Sequence, residues 1–387
     1  MGGVTVRIHL STPDISAVEE TYVLAALRSG WVSSVGPDVD AFEAEVAELV
    51  GVKYALALSS GTAALHLALV EVGAGPDTVV VLPTMTFAAT ANAVTYTGAE
   101  PVFVDCRPDD GNVDPELMLE AVDELRRRGR TVAAAITVDL MGRACDYDIL
   151  EPALAERGVP LIEDAAEALG ARLQHRAAGS FGRLAALSFN GNKIMTTSGG
   201  GMLLSDDPEL IAHARKISSQ ARESAPWYEH AETGYNYRMS NILAALGRGQ
   251  LTRLSQLIQR RRQIRQAYTQ ALDGAAVRFL HGRAGRDDQD DNCWLTTLVL
   301  DGDVLDAWRI IEGLGEVGIE ARHLWKPMHL QPLFAGAQIF GGAHARHMFQ
   351  HGLALPSGST LTDGEVATVI TEFHQHTEGR VSCVSPS

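Results

Sequence analysis

Cysteine is scarce in this chain. Its 387 residues include four, Cys106, Cys145, Cys293 and Cys383, far apart and with no Cys-x-x-Cys pair. That spacing argues against a disulfide framework and predicts reduced thiols, as in a cytoplasmic protein. Positive charge is short as well: 32 Lys+Arg stand against 48 Asp+Glu, a net charge of -16. The balance argues against a nucleic-acid surface or a polybasic membrane anchor. An anionic substrate would then need a local pocket of basic groups or amides. No run approaches the ~18 apolar residues of a membrane span. The opening MGGVTVRIHLSTPD lacks an apolar core for a signal peptide and has Val at position 6, where myristoylation needs Ser or Thr. A soluble, cytoplasmic protein is expected. Repeats and low-complexity linkers are missing too. No Gly-x-Gly-x-x-Gly follows the first predicted strand, which disfavours a nicotinamide-type Rossmann domain.

What is present describes a globular chain, 46% hydrophobic and 21% charged, long enough for a large core and about two domains. Helical periodicity runs over 13–29, from a Pro-Asp start to a stop at Gly30, and over 38–50, closed by Gly51. The loop between them carries Trp31, either a packing anchor or a site residue. From there strands over 54–58, 79–82, 101–105, 132–138, 159–164 and 184–189 alternate with helices near 63–69, 88–96, 114–128 and 146–157. Near-continuous apolar strands separated by helices predict a parallel sheet covered on both faces, with ligands at the carboxyl ends of its strands.

Thr62, Phe87 and Asp164 each lie just beyond such a strand end. The turn Ser59-Ser-Gly-Thr62 reads either as an ordinary turn with a hydroxyl cap or as an anion site on the free amides of the next helix. His66, among apolar residues of that helix, reads as a packed side chain. Asp164 ends a buried strand, where a carboxylate is costly unless a donor or cation meets it. It caps a helix there, or it partners a protonated heterocyclic nitrogen. Lys193 follows the strand and precedes MTTSGGGM, whose glycines let the backbone pass close to a bound group. Alone it reads as a solvated charge; buried beside a cofactor, it has the chemistry of a Schiff-base lysine.

In the C-terminal part a long helix is predicted from Ser240 to Leu272, with Arg260, Arg261 and Arg262 on a solvated face from which one guanidinium could meet a nucleotide phosphate. A polar loop at 282–291, a strand at 294–300 and a helix at 303–317 follow. His344, His347 and His351 recur at helical spacing, but no acid or cysteine completes a ligand set, so no metal site is expected. The division expected is a large α/β domain over 1–249 and a smaller α+β domain over 250–387 that closes over the site from one side.

Taken together, SSGTAALHLAL, PTMTFAATANAVTYTGAEPVFVD, IEDAAEALGA, LSFNGNKIMTTSGGGML, GYNYRMSNILAALGRGQL and WKPMHLQP resemble the DegT/DnrJ/EryC1/StrS family of pyridoxal-phosphate-dependent sugar aminotransferases. They occur in the family's order over most of the chain. The resemblance implies the aspartate-aminotransferase-like fold (fold type I) and pyridoxal 5′-phosphate, which becomes pyridoxamine 5′-phosphate during turnover. It implies that Lys193 holds the cofactor as a Schiff base and shuttles a proton, that Asp164 pairs with the pyridinium nitrogen, and that Phe87 stacks on the ring. Gly61, Thr62 and Ser188 would hold the phosphate, and Asn236 would reach a phosphate across the interface of a homodimer. Trp31, Arg238 and His329 are candidate sugar contacts. The amino donor would be L-glutamate, and the acceptor a nucleotide-linked ketosugar of the UDP-linked 4-keto-6-deoxy-N-acetylhexosamine type. A keto-cyclitol aminotransferase would share every cofactor residue, and a non-catalytic sensor on the same fold would retain Asp164 and Ser188 without turning over. The dehydrating branch has histidine in place of Lys193. One position departs from many relatives: Glu167 stands where they carry Gln or His against the cofactor's phenolic oxygen, and a carboxylate there repels a phenolate unless one of the two is protonated.

Overall fold

A computed structural model describes residues 6–281, 290–301 and 305–378. Cys383, most of the polar loop at 282–291 and the first two residues of the helix expected at 303–317 lie outside the described residues. That helix runs from Ala307 to Glu316, capped by Asp306.

Eight strands form the central sheet, in the order Tyr54–Leu58, Gly201–Ser205, Leu184–Ser188, Leu161–Asp164, Thr131–Val138, Thr78–Pro83, Glu100–Val104 and Ile339–Phe340. Among the described residues Gly201–Ser205 is the reversed strand, antiparallel to both neighbours, and the remaining pairings are parallel. Apolar residues cover both faces: Leu56, Leu67, Ile136 and Leu203 belong to one layer, Val81, Val122, Leu150 and Leu161 to another. Burial on both faces is why these strands read as unbroken apolar runs.

The long helix, Asn241–Ala271 with Ser240 as its cap, packs on helices Ala17–Ser29 and Pro37–Val50 and, further along, on the C-terminal helix Asp363–Glu378. A second, antiparallel sheet has the order Val277–Phe279, Thr296–Leu300, Gly352–Leu355, Arg322–His323. Its own core includes Ile264, Tyr268, Leu298, Leu314, Leu353 and Phe373. The position 249/250 expected to divide the chain falls inside the long helix, and Ile339–Phe340 returns to the large sheet beside Phe103 and Val104.

Three local readings need correction. The first helix begins at Ala17 under a Ser16–Glu19 capping box rather than at Pro13-Asp14, because the Asp14 carboxylate is drawn to Arg253, 2.8 Å away. Arg261 is not on a solvated face. It is 1% exposed, and its guanidinium donates to the Trp294 and Ser357 carbonyls and to Ser11 Oγ. Burial lowers its pKa to about 10. Arg260 donates to the Leu361 carbonyl and Arg262 to that of Asp291. Asp164 caps no helix, since a turn follows it. His344, His347 and His351 do sit on one helix, Ala343–His351, and among the described residues no group of potential metal ligands forms.

Glu19 ties the first helix to the long one. Fully buried, it accepts from Ser16 N at 2.7 Å, Gln250 Nε2 at 2.7 Å and Arg253 Nη1 at 2.9 Å. Burial alone would raise its pKa, but these donors hold it down at about 2. A carboxyl depressed from 4.5 stabilises the fold above that pH and loses its contribution as pH falls toward 2. Glu19→Gln is therefore expected to cost on the order of 2–3 kcal/mol at neutral pH. In urea melts its difference from wild type should shrink steadily below about pH 4.5.

Candidate active site

The strand Tyr54–Leu58 runs through Ser59 and Ser60 into the helix Gly61–Glu71. Ser60 Oγ accepts from Ala63 N at 3.0 Å, so the hydroxyl is a helix cap. The first-turn amides of Gly61 and Thr62 have no helical carbonyl to bond, and both residues line a cavity of about 300 Å³. Gly61 is required by close approach: a Cβ there would meet Ser188 Cβ at 2.9 Å. At Gly201 a Cβ would lie 2.4 Å from the Ser60 carbonyl carbon. The glycine run thus lets the reversed strand press against the turn that begins the helix.

The next wall comes from the strand Leu161–Asp164. Asp164 Oδ2 accepts from Thr90 Oγ1 at 2.7 Å and Oδ1 from Ala166 N at 3.1 Å. Burial pushes this carboxyl above its ordinary range, against the pull of both donors and of the Lys193 charge. Glu167 is also buried. Its Oε2 accepts from Met141 N at 2.8 Å, and its Oε1 lies 3.4 Å from Lys193 Nζ. Burial raises this carboxyl as well; Lys193 and the Met141 amide pull it down, and Asp164 adds to the rise.

Lys193 projects into the same cavity with its side chain 13% exposed, and Nζ sits 4.0 Å from the centre of the Trp294 ring. Trp294 is fixed from behind, its Nε1 donating to the Asn192 carbonyl at 2.7 Å. Asn292 anchors the approach to that tryptophan: it donates to the Glu167 and Leu169 carbonyls and accepts from Trp294 N. At the mouth, Phe87 is 57% exposed and faces Trp325 at 5.7 Å.

Seven residues singled out in the sequence, Gly61, Thr62, Phe87, Asp164, Glu167, Ser188 and Lys193, therefore line one cavity. Four do not. Trp31 is half exposed on its loop. Arg238 lies 3.7 Å from Glu43, a carboxylate that Arg215 also grips. His329 Nδ1 bonds Thr84 Oγ1 at 2.7 Å. Asn236 is exposed between Tyr235 and Tyr237, whose rings stack 5.0 Å apart and pack against His66. Alternation along an extended segment turns Asn236 away from that cluster. Sequence reasoning did not single out Thr90 and Trp325, although both lie inside stretches that carry the family resemblance, nor Trp294 and the Met141 amide, which lie outside those stretches.

An amine, a carboxylate held by two donors and a helix N-terminus now share one cavity. A phosphorylated pyridine aldehyde needs these three things: a nucleophile for its carbonyl, a partner for its ring nitrogen and an anion site. The DegT/DnrJ/EryC1/StrS aminotransferase family matches residues 13–374. The chain belongs to that family. EpsN of Bacillus subtilis (strain 168), provisionally named a pyridoxal phosphate-dependent aminotransferase, is 46% identical over 373 residues, 94% of each chain. GDP-perosamine synthase of Caulobacter vibrioides is 37% identical, over 95% of this chain and 98% of its own. In structure, Spr1654 of Streptococcus pneumoniae, provisionally named a sugar aminotransferase, superposes in its PMP-form with a TM-score of 0.88 at 27% identity, over 96% of this chain and 99% of that one. The protein is a pyridoxal-phosphate-dependent sugar aminotransferase with the fold its resemblance implied. Among its described residues no helix is long and apolar enough to cross a membrane.

Proposed function

We propose that this DegT/DnrJ/EryC1/StrS aminotransferase moves an amino group from L-glutamate to the keto carbon of a nucleotide-linked 4-keto-6-deoxy sugar, with Lys193 as its catalytic residue. One observation carries the reading: Lys193 Nζ lies between Glu167 and Trp294 in the cavity that also holds Asp164 and the first turn of the Gly61–Glu71 helix. When bound, the cofactor supplies an aldehyde that exchanges its oxygen for an amino group and a pyridine ring that takes up the electron pair of a broken C–H bond. Asp164, oriented by Thr90 and the Ala166 amide, keeps a proton on the ring nitrogen. Gly61 and Thr62 amides, with the Ser188 hydroxyl, bind the phosphate. Phe87 covers the ring at the mouth. Lys193 would hold the aldehyde carbon through its amine and, when that amine is free, would take a proton from one carbon and return it to the next.

The sugar class is supported by relatives. One, named dTDP-4-dehydro-2,3,6-trideoxy-D-glucose 4-aminotransferase from Saccharopolyspora spinosa, is 30% identical over 98% of this chain and 99% of its own. The finer choice of a UDP-linked N-acetylhexosamine rests on SFNGNKIMTTSGGGML with GYNYRMSN. Asn236, exposed and outside the lining of its own chain's cavity, suits a homodimer in which it serves a neighbouring copy's site. The test is a visible absorption spectrum of the holoenzyme. L-glutamate is expected to bleach the cofactor band, and UDP-, GDP- and dTDP-linked 4-ketosugars are then offered in turn. Return of the band with one nucleotide series supports the proposal and names the nucleotide. Return with a keto-cyclitol alone would sink it.

A further inference from the structure

The cavity holds two carboxyl groups, Asp164 and Glu167, and among the described residues lining it Lys193 is the one cation. That charge count changes once the lysine nitrogen is engaged. Pyridoxal carries a ring hydroxyl on the carbon next to its aldehyde carbon, so this oxygen lies beside whatever nitrogen holds the aldehyde. Glu167 Oε1 is 3.4 Å from Lys193 Nζ, and its other oxygen is already occupied by the Met141 amide at 2.8 Å. With Asp164 taken by the ring nitrogen, Oε1, the oxygen on the Lys193 side, is the carboxyl oxygen that would be available to that ring oxygen.

We propose that Glu167 serves this site as a neutral carboxylic acid, donating a hydrogen bond from Oε1 to the ring oxygen beside the carbon that Lys193 holds. The inference rests on the reading of Lys193 given above. No proton is created or lost: the ring hydroxyl's own proton passes to Oε1 and remains between the two oxygens. A bare carboxylate there would repel an oxygen anion at close range in a weakly screened pocket; with one proton between them the same two oxygens attract. The charged groups facing Glu167 are Lys193, from the turn after Leu184–Ser188, and Asp164, at the end of Leu161–Asp164. Its main-chain carbonyl is held by Asn292 and its Oε2 by Met141, so the acid has little freedom to swing away. Burial, which raises the Glu167 carboxyl, acts in the same direction.

Glu167→Gln and Glu167→Ala separate the possibilities, because glutamine keeps a neutral donor and alanine keeps none. Infrared difference spectra of holoenzyme, wild type minus Glu167→Gln, are expected to show the carbonyl stretch of a neutral carboxylic acid. A carboxylate signature in its place would overturn the proposal. Absorbance titration of the apoproteins with pyridoxal 5′-phosphate is expected to leave Glu167→Gln within about threefold of wild type, while Glu167→Ala binds about 10- to 100-fold more weakly. Should the glutamine variant lose as much as the alanine variant, the position needs a charge and the proposal fails. Wild-type apoprotein that takes up no pyridoxal phosphate would instead overturn the reading of Lys193 on which this rests.

Discussion

Lys193→Ala is expected to abolish steady-state amination, with turnover down on the order of 10⁴-fold or more, because in the proposed function one side chain both holds the cofactor and moves the proton. The protein itself should survive. Breaking a buried ion pair is costly when it strands a charge, but Glu167, whose carboxyl burial already pushes upward, can take a proton and become neutral. Melting temperature should therefore change little while the bound-cofactor band disappears. The sensor alternative predicts something different: an assayed phenotype that does not depend on Lys193. A variant that melts normally, shows no band and still aminates a ketosugar would overturn the proposed role.

Much of this site was legible because α/β alternation has a direction. Once Tyr54–Leu58 and Leu161–Asp164 are recognised as parallel strands, Gly61, Thr62 and Asp164 must share one edge of the sheet, whatever their separation in sequence. Lys193 follows Leu184–Ser188, the strand beside Asp164, and so arrives at the same edge. Trp294 and Trp325 could not be reached this way, since they come from segments around the second sheet and are aimed into the cavity by tertiary contacts such as Asn292. Arg261 misled for the same reason. Three arginines in a row on a long helix read as solvated, and only the three-dimensional path of Asn241–Ala271 shows that carbonyls of Trp294 and Ser357 wait for the middle one. The capping of the helix Ala343–His351 is equally hidden: Asp105, at the end of a strand in the large sheet, accepts from Gly342, His344 and Ala345 amides more than two hundred residues away.

The same logic of buried charge makes Asp164→Asn the sharpest test of the ring-nitrogen partner, because activity and stability should move in opposite directions. An amide of nearly the same shape keeps both contacts when its oxygen accepts from Ala166 N and its Nδ2 donates to Thr90 Oγ1, whose own hydrogen can turn to Thr86, so the pocket keeps its form. It cannot supply the negative charge that holds a proton on a pyridine nitrogen, and losing a preorganised electrostatic partner of this kind costs about 10²–10³-fold in turnover. Stability follows from the sign of the pKa shift. Burial raises the Asp164 carboxyl in the folded protein, so the folded state holds a proton that the unfolded chain releases, and stability falls as pH rises from the ordinary aspartate range through the folded value. Asparagine removes that slope. Apoprotein carrying Asp164→Asn should accordingly melt at or above the wild-type temperature at neutral pH, and the advantage should shrink to little by about pH 4, where the folded wild type is protonated and matches asparagine in charge. A variant that loses turnover and stability together would mean that the carboxylate holds the fold through Thr90 and Ala166 rather than serving the cofactor.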